Sequence, residues 1–170
     1  MARERGDPPV APLSAPLVLT AELDPATQAW LDGLRKAHFP PERNHLRAHL
    51  TLFHALPERP ALPASPVLDA MVEAPFKLGR GVAFAVACPG LGPLRAGIAA
   101  AVGEDALTRQ DRGWGRPHVT VQNKVAPEAA AALHAELSDG YEPRPAQVVG
   151  LSVWEYRGGP WSFLERAAFS

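Results

Sequence analysis

Sulfur is nearly absent from this chain. Its 170 residues include one cysteine, Cys88, and two methionines. One cysteine excludes an intramolecular disulfide and any cysteine-built zinc site. Its place in the apolar run Val82-Ala83-Phe84-Ala85-Val86-Ala87-Cys88 marks it as a small buried hydrophobe rather than a nucleophile. Lysine is scarce as well, with 3 among 17 basic residues, the other 14 being arginine. Against 18 acidic residues the net charge is −1 and the pI about 6.6, which argues against a surface coated for duplex nucleic acid. A local arginine-lined cleft stays compatible with that balance, because guanidinium meets phosphate in a bidentate fork. Long apolar runs are missing too. Each is broken by Pro, Gly or charge, so no signal peptide or membrane span is expected and the cytoplasm is the default compartment. The hydrophobic fraction of 46% over this length fits one domain, or two small lobes sharing a core.

What the chain does have is a repeated tetrapeptide. His49-Leu50-Thr51-Leu52 returns 69 positions later as His118-Val119-Thr120-Val121, and each copy has an Arg two residues before its His, Arg47 and Arg116. With 6 His and 5 Thr, about 0.2 His-x-Thr pairs are expected by chance, so the pair reads as a duplicated unit. Leu, Val and Thr favour strands, and residues two apart on a strand point the same way. His49 and Thr51 therefore share one face while Leu50 and Leu52 point to a core, and His118 and Thr120 do the same against Val119 and Val121. The same parity adds Arg47 and Phe53 to the first face and Arg116, Gln122 and Lys124 to the second. It turns His54 away.

The surrounding pattern repeats at the same scale. Residues 1–15 read as a disordered, Pro-rich tail, followed by a single domain over 16–170. A first strand at 16–23 leads to a helix capped by Asp24-Pro25 and running to about Ala37. The first His strand covers 47–55. After a Pro-rich loop, Ser65-Pro66 is expected to cap a short helix to Glu73, with a short extended piece at Phe76–Leu78. A buried strand over 82–88 precedes a helix through Leu94, Ile98 and Ala101. A polar loop follows over 103–115. The second His strand covers 117–124, then a helix from Pro127 to about Leu137, a strand over 147–156 and a closing strand over 161–169. The order strand, helix, His strand, helix, strand thus occurs twice, over about 17–78 and 82–156, and would set the two His strands facing each other across a cleft.

Two imidazoles in one cleft suit acid–base catalysis near neutral pH, one ring neutral and the other protonated. Two threonine hydroxyls could donate to the non-bridging oxygens of a phosphoryl centre as charge builds there. No metal is required. A metal-dependent phosphodiesterase needs Asp or Glu beside His, and neither His strand carries one. Glu42, Glu58 and Asp111 in adjoining loops match no metal-ligand spacing. The pseudo-symmetry leaves open which His is base and which acid.

Two such strands in a duplicated domain of this size resemble the 2H phosphoesterase superfamily, most closely its bacterial 2′-5′ RNA ligase / RNA 2′,3′-cyclic phosphodiesterase branch. The resemblance covers nearly all of the chain after the tail, and Arg-Pro-His-Val-Thr-Val is similar to the second motif of that branch. It implies an α+β, bilobal, pseudo-twofold fold in which two antiparallel sheets line a central cleft with helices outside. It implies catalytic roles for His49, Thr51, His118 and Thr120, and no cofactor. The implied reaction opens an RNA or nucleotide 2′,3′-cyclic phosphate to the 2′-phosphate. The implied partners are RNA 3′ ends or small cyclic nucleotides, met by a monomer. Reversible 2′-5′ ligation is the same chemistry with an RNA 5′-hydroxyl in place of water. Around this centre Arg116, Arg47 and Lys124 are candidate phosphate ligands, Phe53 and Trp114 candidate stacking residues, and Tyr156 a candidate rim residue. Two alternatives stand beside it: a module that binds nucleotides or RNA ends without turnover, and an enzyme of this superfamily acting on another small cyclic phosphodiester.

Overall fold

The structure, a computed structural model, describes residues 15–170; the expected tail lies outside the described residues apart from Ala15. The first apolar run forms β1 (Leu17–Leu23). Asp24 then caps α1 (Pro25–His38), its carboxylate accepting from the Thr27 amide at 3.1 Å, while Pro25 sits in the first turn where its missing N–H costs nothing. The first His strand is β2 (Leu50–Leu56). It is followed by β3 (Leu68–Leu78), β4 (Gly81–Ala87), α2 (Leu91–Val102) and the single-turn α3 (Arg109–Arg112). The second His strand is β5 (His118–Gln122), followed by α4 (Pro127–Ser138), β6 (Arg144–Glu155) and β7 (Ser162–Ala168).

One expected element is replaced. No helix runs from Ser65 to Glu73; β3 occupies that stretch and absorbs the piece at Phe76–Leu78. Ala70 and Val72 are buried while Asp69 beside them is exposed, a two-residue alternation. The backbone here pairs with β6 from Leu68 to Val72 and with β4 from Met71 to Leu78. Ladder bonds on both edges outweigh the weak helical preference of so short a segment. The Ser65 hydroxyl donates to the Pro66 carbonyl and caps nothing. The first repeat is therefore β1-α1-β2-β3, without the second helix that the later repeat carries. The polar loop over 103–115 contains a 3₁₀ turn (Glu104–Ala106) and α3.

All strand pairs are antiparallel, in the order β1-β2-β5-β4-β3-β6-β7, and β1 also pairs with β6. Six strands thus close into a ring, with β7 added along β6. The two expected half-sheets are joined into one, but the His strands meet through a single pair, Leu50 opposite Val119. These are equivalent residues of the two tetrapeptides, so a local twofold passes between them, and both are fully buried. One core holds apolar residues of β1 to β6 together with Leu31 of α1, Leu91 and Ile98 of α2 and Leu133 of α4. At Gly81 a Cβ would stand 1.8 Å from the Gln122 carbonyl oxygen, so only glycine allows β4 to approach β5.

Two buried arginines brace that narrow junction. Arg35 of α1 donates from Nη1 to the Thr120 carbonyl at 3.0 Å, and its Nε is shared between Asn44 Oδ1 (2.8 Å) and the Leu46 carbonyl (3.0 Å). Arg95 of α2 donates to the Leu52 carbonyl at 2.8 Å and to the Asp111 carbonyl. Each guanidinium lies over aromatic rings: Arg35 over Phe39 (3.9 Å), Arg95 against Phe53 (4.2 Å) and Trp114 (4.8 Å). Each helix thus reaches from its own repeat to the His strand of the other. Burial lowers Arg35 to about 10, which leaves it charged at neutral pH. Arg35→Leu and Arg95→Leu each strand buried carbonyls without a donor and should cost about 2–4 kcal/mol, read as a lower midpoint in urea unfolding.

Candidate active site

The residues closest to the local twofold are the ones the tetrapeptides name. On β5 the alternation holds from His118 to Val121, with His118 and Thr120 half-buried and open to the cleft and Val119 and Val121 fully buried; Gln122, expected on the cleft face, is buried as well. On β2 it holds from Leu50 to Leu52 and then breaks, because Leu52 and Phe53 are both fully buried and His54 is exposed. The pairing of β1 with β2 slips at the same place, where Leu19 faces Phe53 but Thr20 faces Thr51. This irregularity reverses the parity of everything after Leu52.

Both histidines are held in the same way. His49 Nδ1 lies 2.8 Å from the Arg47 carbonyl, and His118 Nδ1 lies 2.8 Å from the Arg116 carbonyl. A carbonyl only accepts, so each Nδ1 carries a proton and Nε2 is left free of that bond. Each ring also has an aromatic neighbour. Trp161 leans over His49 with centroids 4.7 Å apart, and Phe76 stands edge-on to His118 at 6.1 Å. Burial pushes the His49 imidazole down to about 4, with Arg35, His54 and His118 pushing the same way and the Arg47 carbonyl opposing. His49 is therefore neutral at pH 7.

A cleft of about 640 Å³ is lined by His49, Thr51, His118 and Thr120 together with Trp114 and Arg116. All four motif residues and two of the candidate rim residues meet there. The Trp114 indole donates to the Thr51 carbonyl at 3.4 Å, and the Arg116 guanidinium lies 3.9 Å over the Phe76 ring. The other rim candidates are elsewhere. Phe53 is fully buried beneath Arg95; the break in β2 turns it into the core, which overturns the expectation that it stacks on a substrate. Arg47 pairs with Asp32 at 2.9 Å and is drawn out of the His–Thr cleft. Lys124 and Tyr156 line an adjoining cavity of about 720 Å³.

Three ring-bearing residues of the cleft are not among the sequence candidates. His54, set aside on parity, enters the cleft because of the break in β2. Its ring Nδ1 lies 3.4 Å from Asp111 Oδ1, and the two Asp111 oxygens accept the His54 and Ala55 amides at 2.8 and 2.9 Å. Burial raises the Asp111 carboxyl, but these bonds outweigh it and hold it below the usual carboxylate range. Phe76 was legible only once its segment is a strand, and Trp161 was signalled by its place after the Gly158-Gly159-Pro160 turn. Among the described residues no group of three or more His, Cys, Asp or Glu is placed to hold a metal ion, and no helix is long and apolar enough to cross a membrane.

Comparison with known proteins finds the same fold. A family model described as the 2′-5′ RNA ligase superfamily matches residues 23–160. Among solved structures, Escherichia coli LigT complexed with 3′-AMP superposes with a TM-score of 0.58 at 16% identity, covering 92% of this chain and 98% of that one. TT0787 of Thermus thermophilus gives 0.59 at 18%, covering 90% and 97%. A crystal structure described as a phosphoesterase gives 0.59 at 18%, covering 92% and 99%. At these identities the likeness speaks for the fold. Comparison with curated protein sequences yields no match.

Followed by proton NMR, the His49 ring should titrate well below 6.5, and Trp161→Ala should raise its value by admitting water. Because an unfolded His titrates near 6.5 and the folded His49 near 4, the unfolded chain binds the extra proton between those values. Folding stability should fall as pH drops through that window, and His49→Phe should flatten the fall.

Proposed function

As the chain belongs to the 2′-5′ RNA ligase superfamily, a superfamily of phosphoesterases and ligases, we propose that it is a phosphoesterase that opens RNA or nucleotide 2′,3′-cyclic phosphates by two-histidine acid–base catalysis. The observation that carries this reading is the pairing itself. Two imidazoles in the same tautomer and two hydroxyls, one of each from either repeat, line one cleft. That E. coli LigT has been crystallised with 3′-AMP favours a nucleotide as the ligand class.

In this scheme His49, kept neutral by burial, takes a proton from water through Nε2 as the water oxygen attacks phosphorus. The P–O3′ bond breaks, and His118, entering the step as the imidazolium with protons on both nitrogens, gives its Nε2 proton to the departing 3′ oxygen, leaving the 2′-phosphate. Thr51 and Thr120 donate to the non-bridging oxygens, where negative charge grows. Arg116, held flat over Phe76 at the cleft, adds a fixed positive charge. With an RNA 5′-hydroxyl in place of water the same steps form a 2′-5′ linkage without ATP.

A short RNA ending in a 2′,3′-cyclic phosphate, incubated in excess EDTA, should be converted to the 2′-phosphate and not the 3′-phosphate. His49→Ala and His118→Ala should each lower kcat/KM by about 10³-fold, and Thr51→Val and Thr120→Val by about 10²-fold. Turnover that survives either His substitution sinks the two-histidine scheme. Tight binding of the RNA without turnover by the wild type would favour the binding-module alternative.

A further inference from the structure

The proposed chemistry leaves unused a cavity beside the cleft. It measures about 720 Å³, within the range of small-molecule sites. Its walls come from separate parts of the chain: Arg43 and His45 from the segment before β2, His54 from β2, Lys124 from just after β5, and Tyr156 from just after β6. His54 and Trp161 line this cavity and the catalytic cleft alike, so the two are continuous at those side chains. Four basic or imidazole groups face one acid, Glu42, in a protein whose net charge is −1. Neither Arg43 nor Lys124 joins an ion pair among the described residues.

The walls are built rather than loose. The segment carrying His45 is pinned by Arg35, which bonds Asn44 and Leu46 on either side of it. His54 is anchored by the wholly buried Asp111. Lys124 has φ +59°, and no other non-glycine residue described is left-handed. That backbone is strained for a side chain with a Cβ. It is held by the Asn123 side chain, which accepts the Lys124 amide at 2.8 Å, and by the Val125 amide donating to the Arg80 carbonyl at 3.1 Å. Glycine would relax this bend, yet a charged residue occupies it and faces the cavity.

We propose that this cavity is a second anion subsite, holding the phosphate 5′ of the terminal nucleoside while the cyclic phosphate sits between His49 and His118. It rests on the phosphodiesterase reading above and deepens it: the preferred substrate is a chain end with at least one upstream phosphodiester, not a free cyclic nucleoside. Arg43 and Lys124 supply the charge, His54 bridges the two phosphates, and Tyr156 presents a ring and a hydroxyl to the upstream nucleoside.

The test compares three substrates in EDTA: a nucleoside 2′,3′-cyclic phosphate, the same compound with a 5′-phosphate, and a dinucleotide ending in the cyclic phosphate. The dinucleotide should exceed the nucleoside at least tenfold in kcat/KM. The 5′-phosphorylated compound separates the sources of that gain, since it matches the dinucleotide if the charge alone is read and falls between the two if Tyr156 also reads the upstream nucleoside. Arg43→Ala and Lys124→Gly should each lower kcat/KM for the dinucleotide about tenfold more than for the nucleoside. The salt dependence of the dinucleotide reaction should become shallower in each. Lys124→Gly removes the charge where the backbone favours glycine, so a folding defect is not expected from it, and thermal unfolding checks this. Equal rates for all three substrates, or variants that slow them all alike, overturn the subsite and leave the phosphodiesterase reading intact. Absence of turnover by the wild type on every substrate overturns that reading and this inference with it.

Discussion

The structure depends on two buried guanidinium groups. The His strands β2 and β5 share one residue pair, too little to fix the two histidine rings against each other. Arg35 and Arg95 supply what the sheet omits. Each leaves a helix of one repeat and bonds a carbonyl of the other repeat's His strand, Thr120 and Leu52. The bond is charge-assisted, short of water, and backed by aromatic faces on the non-bonding side. Arginine suits the task where lysine would not, because one planar fork satisfies two or three carbonyls at fixed angles. The scarcity of lysine and abundance of arginine in this chain has here at least one structural use.

The same bracing accounts for the departure in β2. Arg95 holds the Leu52 carbonyl, and Asp111 takes the amides of His54 and Ala55. Between these two anchors the strand turns both Leu52 and Phe53 inward and brings His54 out to the cleft. Phe53 then serves as a platform for the guanidinium that holds its neighbour. A fold that had kept strict alternation would expose Phe53 and bury His54, losing both the support and the third imidazole.

The pattern of the chain made much of this legible. The two tetrapeptides carried the strands, their faces and the four residues of the shared cleft, because period-two alternation is local and strong at His118–Val121 and at His49–Leu52. The cap at Asp24 was readable because it depends on its own neighbours alone. What was not legible depends on distant partners. β3 looks like a short capped helix until β4 and β6 are present on its two edges. The inward turn of Phe53 needs Arg95, 42 positions along. Arg47 looked equivalent to Arg116 until α1 brought Asp32 beside it. In each case the residue type was visible and its neighbour was not.

The local twofold between Leu50 and Val119 has one further consequence. Two identical subunits meeting on such an axis would give their paired histidines identical surroundings, and one would have to break the symmetry each time a substrate arrived. Joining the two halves in one polypeptide removes that constraint. Mutation has been free to place an indole over one ring and a phenyl edge beside the other. The two rings thereby differ in their surroundings within one chain, before anything binds between them.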